Sequence, residues 1–198
     1  FAEYSIRPVS ALTIDVGGRL DTTRNAADPS KAGTPLYLAY PGVATTTARD
    51  TYPSGKARVS YRLDGGLTLS GGIGRTVRVP DPQERYFALR RMGTDWVGNP
   101  ALRPTTNTGV DLQASFRRSR LYLNASLYRD ALGNYVTVYR QARQNPVAGV
   151  MNTTARSFRN VDATMTGGEV EAVVSLTGRV FLGADFSAVR GRQQLDPG

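Results

Sequence analysis

Eight stretches of this chain alternate apolar and polar residues, and the connections between them alternate short and long. Leu121, Leu123, Ala125 and Leu127 are apolar, while Tyr122, Asn124, Ser126 and Tyr128 between them can meet water. Val180, Leu182, Ala184, Phe186 and Ala188 repeat the pattern. A period of two means β-strand, with successive side chains on opposite faces. Strands of about ten residues, with tight turns on one side only, are the signature of a transmembrane β-barrel.

The pattern places strands at Phe1–Arg7, Ala11–Asp21, Gly55–Leu63, Leu67–Arg75 and Asn107–Arg117. A sixth begins at Leu121 and continues past Gly133 through Tyr139, beyond the membrane; a seventh runs from Phe158 to about Ser175 and an eighth from Arg179 to Arg190. The pair Gly167-Gly168 is expected to bend the seventh strand, because paired glycines weaken a strand or mark a bulge. Asp64-Gly65-Gly66 is a hairpin signal, since glycine accepts the positive φ of tight turns. The other short turns fall at Pro8-Val9-Ser10, Arg118-Ser119-Arg120 and Leu176-Thr177-Gly178. Long connections, read as loops, span residues 22–54, 76–106 and 144–157.

No run approaches the roughly 18 apolar residues of a membrane helix, but a barrel strand needs apolar residues only at alternate positions. Cysteine and histidine are both absent, which removes disulfides, thiolate metal sites and the commonest general base and metal ligand. The net charge of +9 is carried almost wholly by arginine. These arginines are scattered through turns, loops and polar strand positions, with no basic helix or tail, so a solvated or lipid-facing surface is expected and nucleic acid is not.

In hydrocarbon every backbone N–H and C=O must be paired, so a sheet survives there only as a closed barrel. Asp15, Arg19, Arg58, Arg62, Asp111, Asn124 and Asp185 fall on the polar, lumenal side of the pattern. Tyr4, Phe116, Tyr128 and Tyr135 are expected near strand ends, where aromatic girdles meet headgroups. A soluble β-sandwich also alternates, but its strands are shorter and its long loops are not confined to one side. Short turns belong to the periplasm and long loops to the outside. Both chain ends then lie on the outer side. Phe1–Arg7 reads as the middle of a strand and Gln193–Gly198 as polar loop, so residues 1–198 are expected to be one stretch of a single outer-membrane β-barrel domain.

Three segments carry a resemblance. Val97-Gly98-Asn99-Pro100-Ala101-Leu102-Arg103-Pro104, followed by a strand, resembles the Gly-Asn-Pro-x-Leu-x-Pro-Glu stretch of TonB-dependent outer-membrane receptors. Gly74-Arg75-Thr76-Val77-Arg78-Val79-Pro80-Asp81, with Glu84-Arg85-Tyr86-Phe87, is similar to the segment before it in that family. Phe158-Arg159-Asn160-Val161 with Gly167-Gly168-Glu169-Val170-Glu171 resembles a later strand. The three come in the family's order, and Thr105 departs from it where an acidic residue is usual. The resemblance implies an all-β, antiparallel transmembrane β-barrel of which this chain supplies about eight strands, within a 22-stranded wall closed by an N-terminal plug domain. It implies a bacterial outer-membrane receptor for a scarce metal or metal complex, energised by the TonB complex through the plug. The stretch from Pro80 through Gly98 is similar to the copper-receptor branch. Copper or a ferric siderophore is the implied cargo, with no covalently bound cofactor.

A copper site needs soft or imidazole ligands, and Met92, Met151 and Met165, far apart in sequence, are the soft ones present. The chain's metal ligands are left unassigned. Arg90, Arg91, Met92 and Trp96 are the candidate ligand-binding residues of an outer loop, through guanidinium contact with an anion. Contact with lipopolysaccharide phosphates is the blander reading of the same arginines. Glu169 and Glu171 share a face and read as lumenal carboxylates in water. Gly71-Gly72-Ile73-Gly74 sits within a strand and is no phosphate loop. No catalytic residues are expected and the chain is read as no enzyme. A passive porin-like channel is the alternative with the same alternation, and a soluble basic β-domain binding nucleic acid or glycan is the other.

Overall fold

The computed structural model describes residues 1–194. In chain order the elements are β1 (Ala2–Val9), β2 (Leu12–Ala26), α1 (Thr34–Ala39), β3 (Thr47–Arg62), β4 (Leu67–Arg78), α2 (Pro82–Tyr86), β5 (Ala88–Leu89), β6 (Asp95–Val97), β7 (Thr105–Arg118), β8 (Leu121–Ala142), β9 (Thr154–Thr177) and β10 (Val180–Gln194). The eight long strands form one antiparallel sheet in the order β1-β2-β3-β4-β7-β8-β9-β10. Short turns join β1 to β2, β3 to β4, β7 to β8 and β9 to β10 at one end of the sheet. All three long connections lie at the other end, as the alternation of loop lengths predicts. Gly65 and Gly66 take φ of 82° and 93° in the β3–β4 turn, the left-handed conformation that the hairpin needs.

Register divides the two faces cleanly. Ile6, Ile14, Val59, Gly71, Leu112, Leu127, Gly168 and Ala188 stand in one cross-strand row. The neighbouring row on the other face reads Thr13, Ser60, Ser70, Gln113, Ser126, Glu169 and Ser187. Side chains on the polar face bond one another: Arg58 Nη2 donates to Asp111 Oδ2 at 2.5 Å, Gln113 Nε2 to Asn124 Oδ1 at 2.9 Å, and Ser70 to Ser60 at 3.0 Å. All seven residues placed on the lumenal side by their sequence pattern share this face.

The apolar face has no cover. Val16, Leu20, Ile73, Leu112, Leu127, Val170 and Phe186 are each 45% exposed or more. A contiguous aliphatic surface of this extent is the mark of a protein that meets lipid or a partner. No helix among the described residues is long and apolar enough to cross a membrane, which says nothing of a wall that crosses with strands.

Four expectations need correction. The sheet passes Gly167 and Gly168 without a register shift on either side; Tyr128 lies over Gly167 and fills the missing side chain's place. The irregularity is in β8, between Leu132 and Tyr135, where Asn134 takes φ 55°. Tyr128 and Tyr135 are not girdle residues at strand ends, since both lie within β8, Tyr128 opposite Asp111 on the polar face. The second connection is not plain loop: it holds α2 and the β5–β6 hairpin, and the first holds α1. Of the C-terminal loop expected at Gln193–Gly198, Gln193 and Gln194 are strand residues of β10, and 195–198 lie outside the described residues.

Candidate functional site at the long-loop end

The buried core of the described residues is not within the wall but above it. Leu36, Tyr37, Ala39 and Tyr40 of the first connection pack with Val97 of the hairpin, Val150 of the third connection and Ala155 of β9. Six residues are too few to hold a helix by hydrogen bonds alone. α1 starts because Pro35 presets its first turn, and it persists because three residues bury against this cluster. α2 is specified more locally. Asp81 accepts from Glu84 N at 2.8 Å, Glu84 Oε2 accepts from Asp81 N at 3.0 Å, and Pro82 occupies the first turn.

α2 also buries Arg85, which is 1% exposed. Its guanidinium donates to Asp50 Oδ2 at 2.7 Å and to the Leu102 carbonyl at 2.9 Å, tying the second connection to β3. The Gly98-Asn99-Pro100 segment now has a physical reason. A side chain at Gly98 would meet the Arg85 carbonyl at 2.7 Å and Tyr86 N at 2.8 Å. Asn99 N donates to Glu84 O at 2.8 Å, and Asn99 Nδ2 reaches the Phe158 carbonyl of β9 at 3.0 Å. Thr105, the departure from the family pattern, is buried and donates to the Asn134 carbonyl at 2.9 Å.

Asp95 joins all three connections. It is 2% exposed, accepts from Tyr40 Oη at 2.7 Å through Oδ2, and accepts from Asn152 Nδ2 at 2.7 Å and Arg91 N at 3.2 Å through Oδ1. Burial pushes the Tyr40 phenol up, and the hydrogen bond to Asp95 and its charge push the same way against Arg143. Burial likewise raises the Tyr37 phenol, which donates to the Tyr86 carbonyl.

The hairpin sorts the sequence candidates. β6 pairs in parallel with β9, Asp95 beside Ala155 and Trp96 beside Arg156. Asp95 and Val97 therefore face the buried loop cluster, and Trp96 faces the opposite side. There the Arg91 and Arg156 guanidinium groups each lie 5.3 Å from the Trp96 ring centroid, and Phe87 packs at 6.4 Å. A cavity of about 360 Å³ opens beside them, lined by Phe87, Trp96, Val138, Arg156 and Phe158. Val138 and Phe158 pair across β8 and β9 in register with the aliphatic face, so this cavity opens on the outside of the wall. Arg90 lies against Gly149 of the third connection, and Met92 is wholly exposed. Arg91 and Trp96 are thus in contact, while Arg90 and Met92 point elsewhere.

Tyr40, Asp95, Asn152, Arg85 and Arg156 were not read as site residues from the sequence. The capping box at Asp81–Glu84 was a legible sign of α2. Nothing local joins Tyr40 to Asp95 across 55 positions. Among the described residues no group of three or more Asp, Glu, His or Cys has the geometry to hold a metal ion. Glu171 stands opposite Asp185 and Asn124 on the polar face, with Glu169 opposite Ser126 and Ser187.

An antiparallel wall with one bare aliphatic face, one bonded polar face and long loops packed together at one end defines a stretch of transmembrane β-barrel. The chain belongs to the TonB dependent receptor-like β-barrel family, whose sequence model matches residues 1–196. Solved structures share the fold. The copper transporter OprC superposes with a TM-score of 0.74 at 24% identity, over 96% of this chain and 28% of that one. The siderophore receptor PirA from Pseudomonas aeruginosa does so at 0.70 and 17%, over 96% and 33%. The Serratia marcescens hemophore receptor HasR, solved with its hemophore HasA and heme, does so at 0.65 and 15%, over 91% and 32%. The chain thus spans a third or less of the length of these proteins. No curated protein sequence matches it.

Proposed function

We propose that this chain is part of the wall of a bacterial outer-membrane receptor that takes up a scarce metal or metal complex, copper or a ferric siderophore, with energy delivered by TonB through a plug domain. The family match over residues 1–196 carries this reading. In it, Arg90 and Met92 of the β5–β6 hairpin are the cargo-contacting residues, while Arg91 and Trp96 lie on the outside of the wall and are not. Two thioethers favour copper over a purely anionic complex. Asn152 Nδ2 donates to the Arg91 carbonyl at 2.6 Å, so Met92 and Met151 flank that bond on adjoining loops, and both are wholly or nearly wholly exposed. Exposed methionine sulfur on two adjoining loops suits a soft cation.

The test is metal accumulation in a strain lacking the gene for the complete receptor, grown under copper or iron starvation and read by elemental mass spectrometry. Deletion lowers cell-associated metal, and the intact gene restores it. If copper is the cargo, deletion lowers copper and leaves iron unchanged, and a gene carrying Met92→Leu and Met151→Leu fails to restore it. Unchanged metal content after deletion, under both starvation regimes, overturns the reading.

A further inference from the structure

The cavity beside Trp96 has no part in the proposed function, because it opens on the outside of the wall while the lumen lies on the other face. It also stands clear of the hydrocarbon. From Leu121 to Val138, β8 climbs about 40 Å at the usual strand rise and tilt, beyond an apolar band about 25 Å tall. An acyl chain is therefore not its occupant. At about 360 Å³ it has the size of a small-molecule site.

Its floor is aromatic and its rim is cationic. Phe87, Trp96 and Phe158 line it with Val138, and the Phe87 and Trp96 rings meet at 58°, as two sides of a cleft. Arg91 and Arg156 each lie 5.3 Å from the Trp96 ring centroid. Arg140 stands directly opposite Arg156 in the β8–β9 ladder and so shares its face. Arg140 Nη2 donates to Thr154 Oγ1 at 3.3 Å, a neutral partner. All three arginines are exposed, and none has an ion-pair partner among the described residues. Asp95, the acid of β6, is turned to the other side of that strand, where Tyr40 and Asn152 hold it. Like charges directly opposite in a sheet repel, so an anion between Arg140 and Arg156 relieves a cost that the chain itself leaves standing.

We propose that this cavity binds a small planar aromatic carboxylate, its ring among Phe87, Trp96 and Phe158 and its carboxylate held by Arg156 and Arg140. The inference goes beyond the proposed function and does not depend on the cargo. Charge and shape together select the occupant. A carboxylate conjugated to a ring lies in the ring's plane, so a ligand thin enough for the cleft still presents two oxygens to a guanidinium fork. Guanidinium groups also stack on aromatic faces. A tetrahedral phosphate meets the arginines but leaves the aromatic floor bare. An uncharged arene fills the floor but leaves the facing cations without an anion.

The probe is 2-naphthoate, titrated by calorimetry into the complete purified receptor in detergent against a micelle blank, with fold monitored by the slower migration of the unboiled barrel. The parent binds it about tenfold more tightly than the uncharged 2-naphthamide, the contribution usual for a hydrogen bond to a charged group, and more tightly than the non-aromatic cyclohexanecarboxylate. Arg156→Gln weakens binding by about the same factor. Trp96→Leu weakens it too, while Trp96→Phe, which keeps a ring, stays within a few-fold of the parent. Arg62→Gln, on the polar face, leaves it unchanged. Should Arg156→Gln or Trp96→Leu release the hairpin, Arg140→Gln, on β8 and outside the hairpin, carries the test and weakens binding severalfold. No binding of 2-naphthoate, equal binding of the amide, or parental binding by Arg156→Gln and Arg140→Gln overturns the proposal. So does displacement of 2-naphthoate by equimolar inorganic phosphate, which marks an anion site indifferent to the ring. Metal accumulation with Arg156→Gln stays at parental level, so failure of the transport reading and failure of this site are read separately.

Discussion

The Asp95 carboxylate sits where water does not reach, and its hydrogen bonds come from three separate connections. Removing one donor leaves a buried acceptor short, at a cost of about 1–3 kcal/mol. Tyr40→Phe is therefore expected to speed limited proteolysis of the second and third connections, while the wall keeps its heat-modifiable migration. The same contact sets a pH dependence. Tyr40 has a folded pKa raised above the usual tyrosine value of about 10. A raised value means that the neutral phenol is the stabilising form, so its contribution is complete below about pH 10 and lost as pH rises further. Loop proteolysis should stay slow from mildly acid pH to about pH 9 and accelerate above 10; Tyr40→Phe, fast throughout, should lack that step. Arg85 follows the harsher rule for buried charge. Asp50→Ala strands its guanidinium in the interior and should cost about 3–5 kcal/mol, seen as release of the second connection to protease.

At the level of elements, α1, α2 and the β5–β6 hairpin are too short to stand alone, and each borrows stability from the others. The closest approach is Gly98 against the backbone of α2. Gly98→Ala must push the hairpin off α2 and is expected to cost about 1–3 kcal/mol. Loss of the tilted Phe87–Trp96 packing, followed by tryptophan fluorescence, checks it. The bulge in β8 shows why local reading of glycines misled. Gly167-Gly168 looked like the bend, but Tyr128 covers Gly167 and the ladder stays regular. The distortion is at Asn134 instead, where the carbonyl accepts from Thr105 and Asn160 and N–H donates to Asp162. Asparagine tolerates the left-handed backbone there, but only its partners from β7 and β9 make the site a bulge.

Across the whole molecule, the two faces obey different solvents. Leu112 and Gln113 are neighbours on β7, yet one lies on the aliphatic face and the other on the bonded polar face. Leu112→Arg should cost about 2–4 kcal/mol, the penalty for a cation at the lipid-facing middle of a barrel strand. Gln113→Arg should be far milder, because its side chain keeps polar company. The folded fraction of the complete receptor refolded into bilayers, scored by electrophoretic migration, separates the two. Equal tolerance at both positions would remove the lipid assignment of the aliphatic face.

Alternation and turn spacing alone determined the strand positions, the sides of the sheet and the end at which the long connections gather. Those are local properties, because a period of two fixes which face a side chain takes as soon as the strand exists. Tight turns likewise need only their own residues. The strand ends were less legible: β3 begins at Thr47 and β9 at Thr154, earlier than their patterns suggest, because their extra residues continue the ladders with β2 and β8. Only the tertiary structure decided what the connections do. Tyr40, Asp95 and Asn152 meet across more than 50 positions, and Trp96 is turned to the outer face by a parallel pairing with β9 that no period announces. Contacts made across strands carry no signature along one strand, which is why the wall could be read from the chain and its mouth could not.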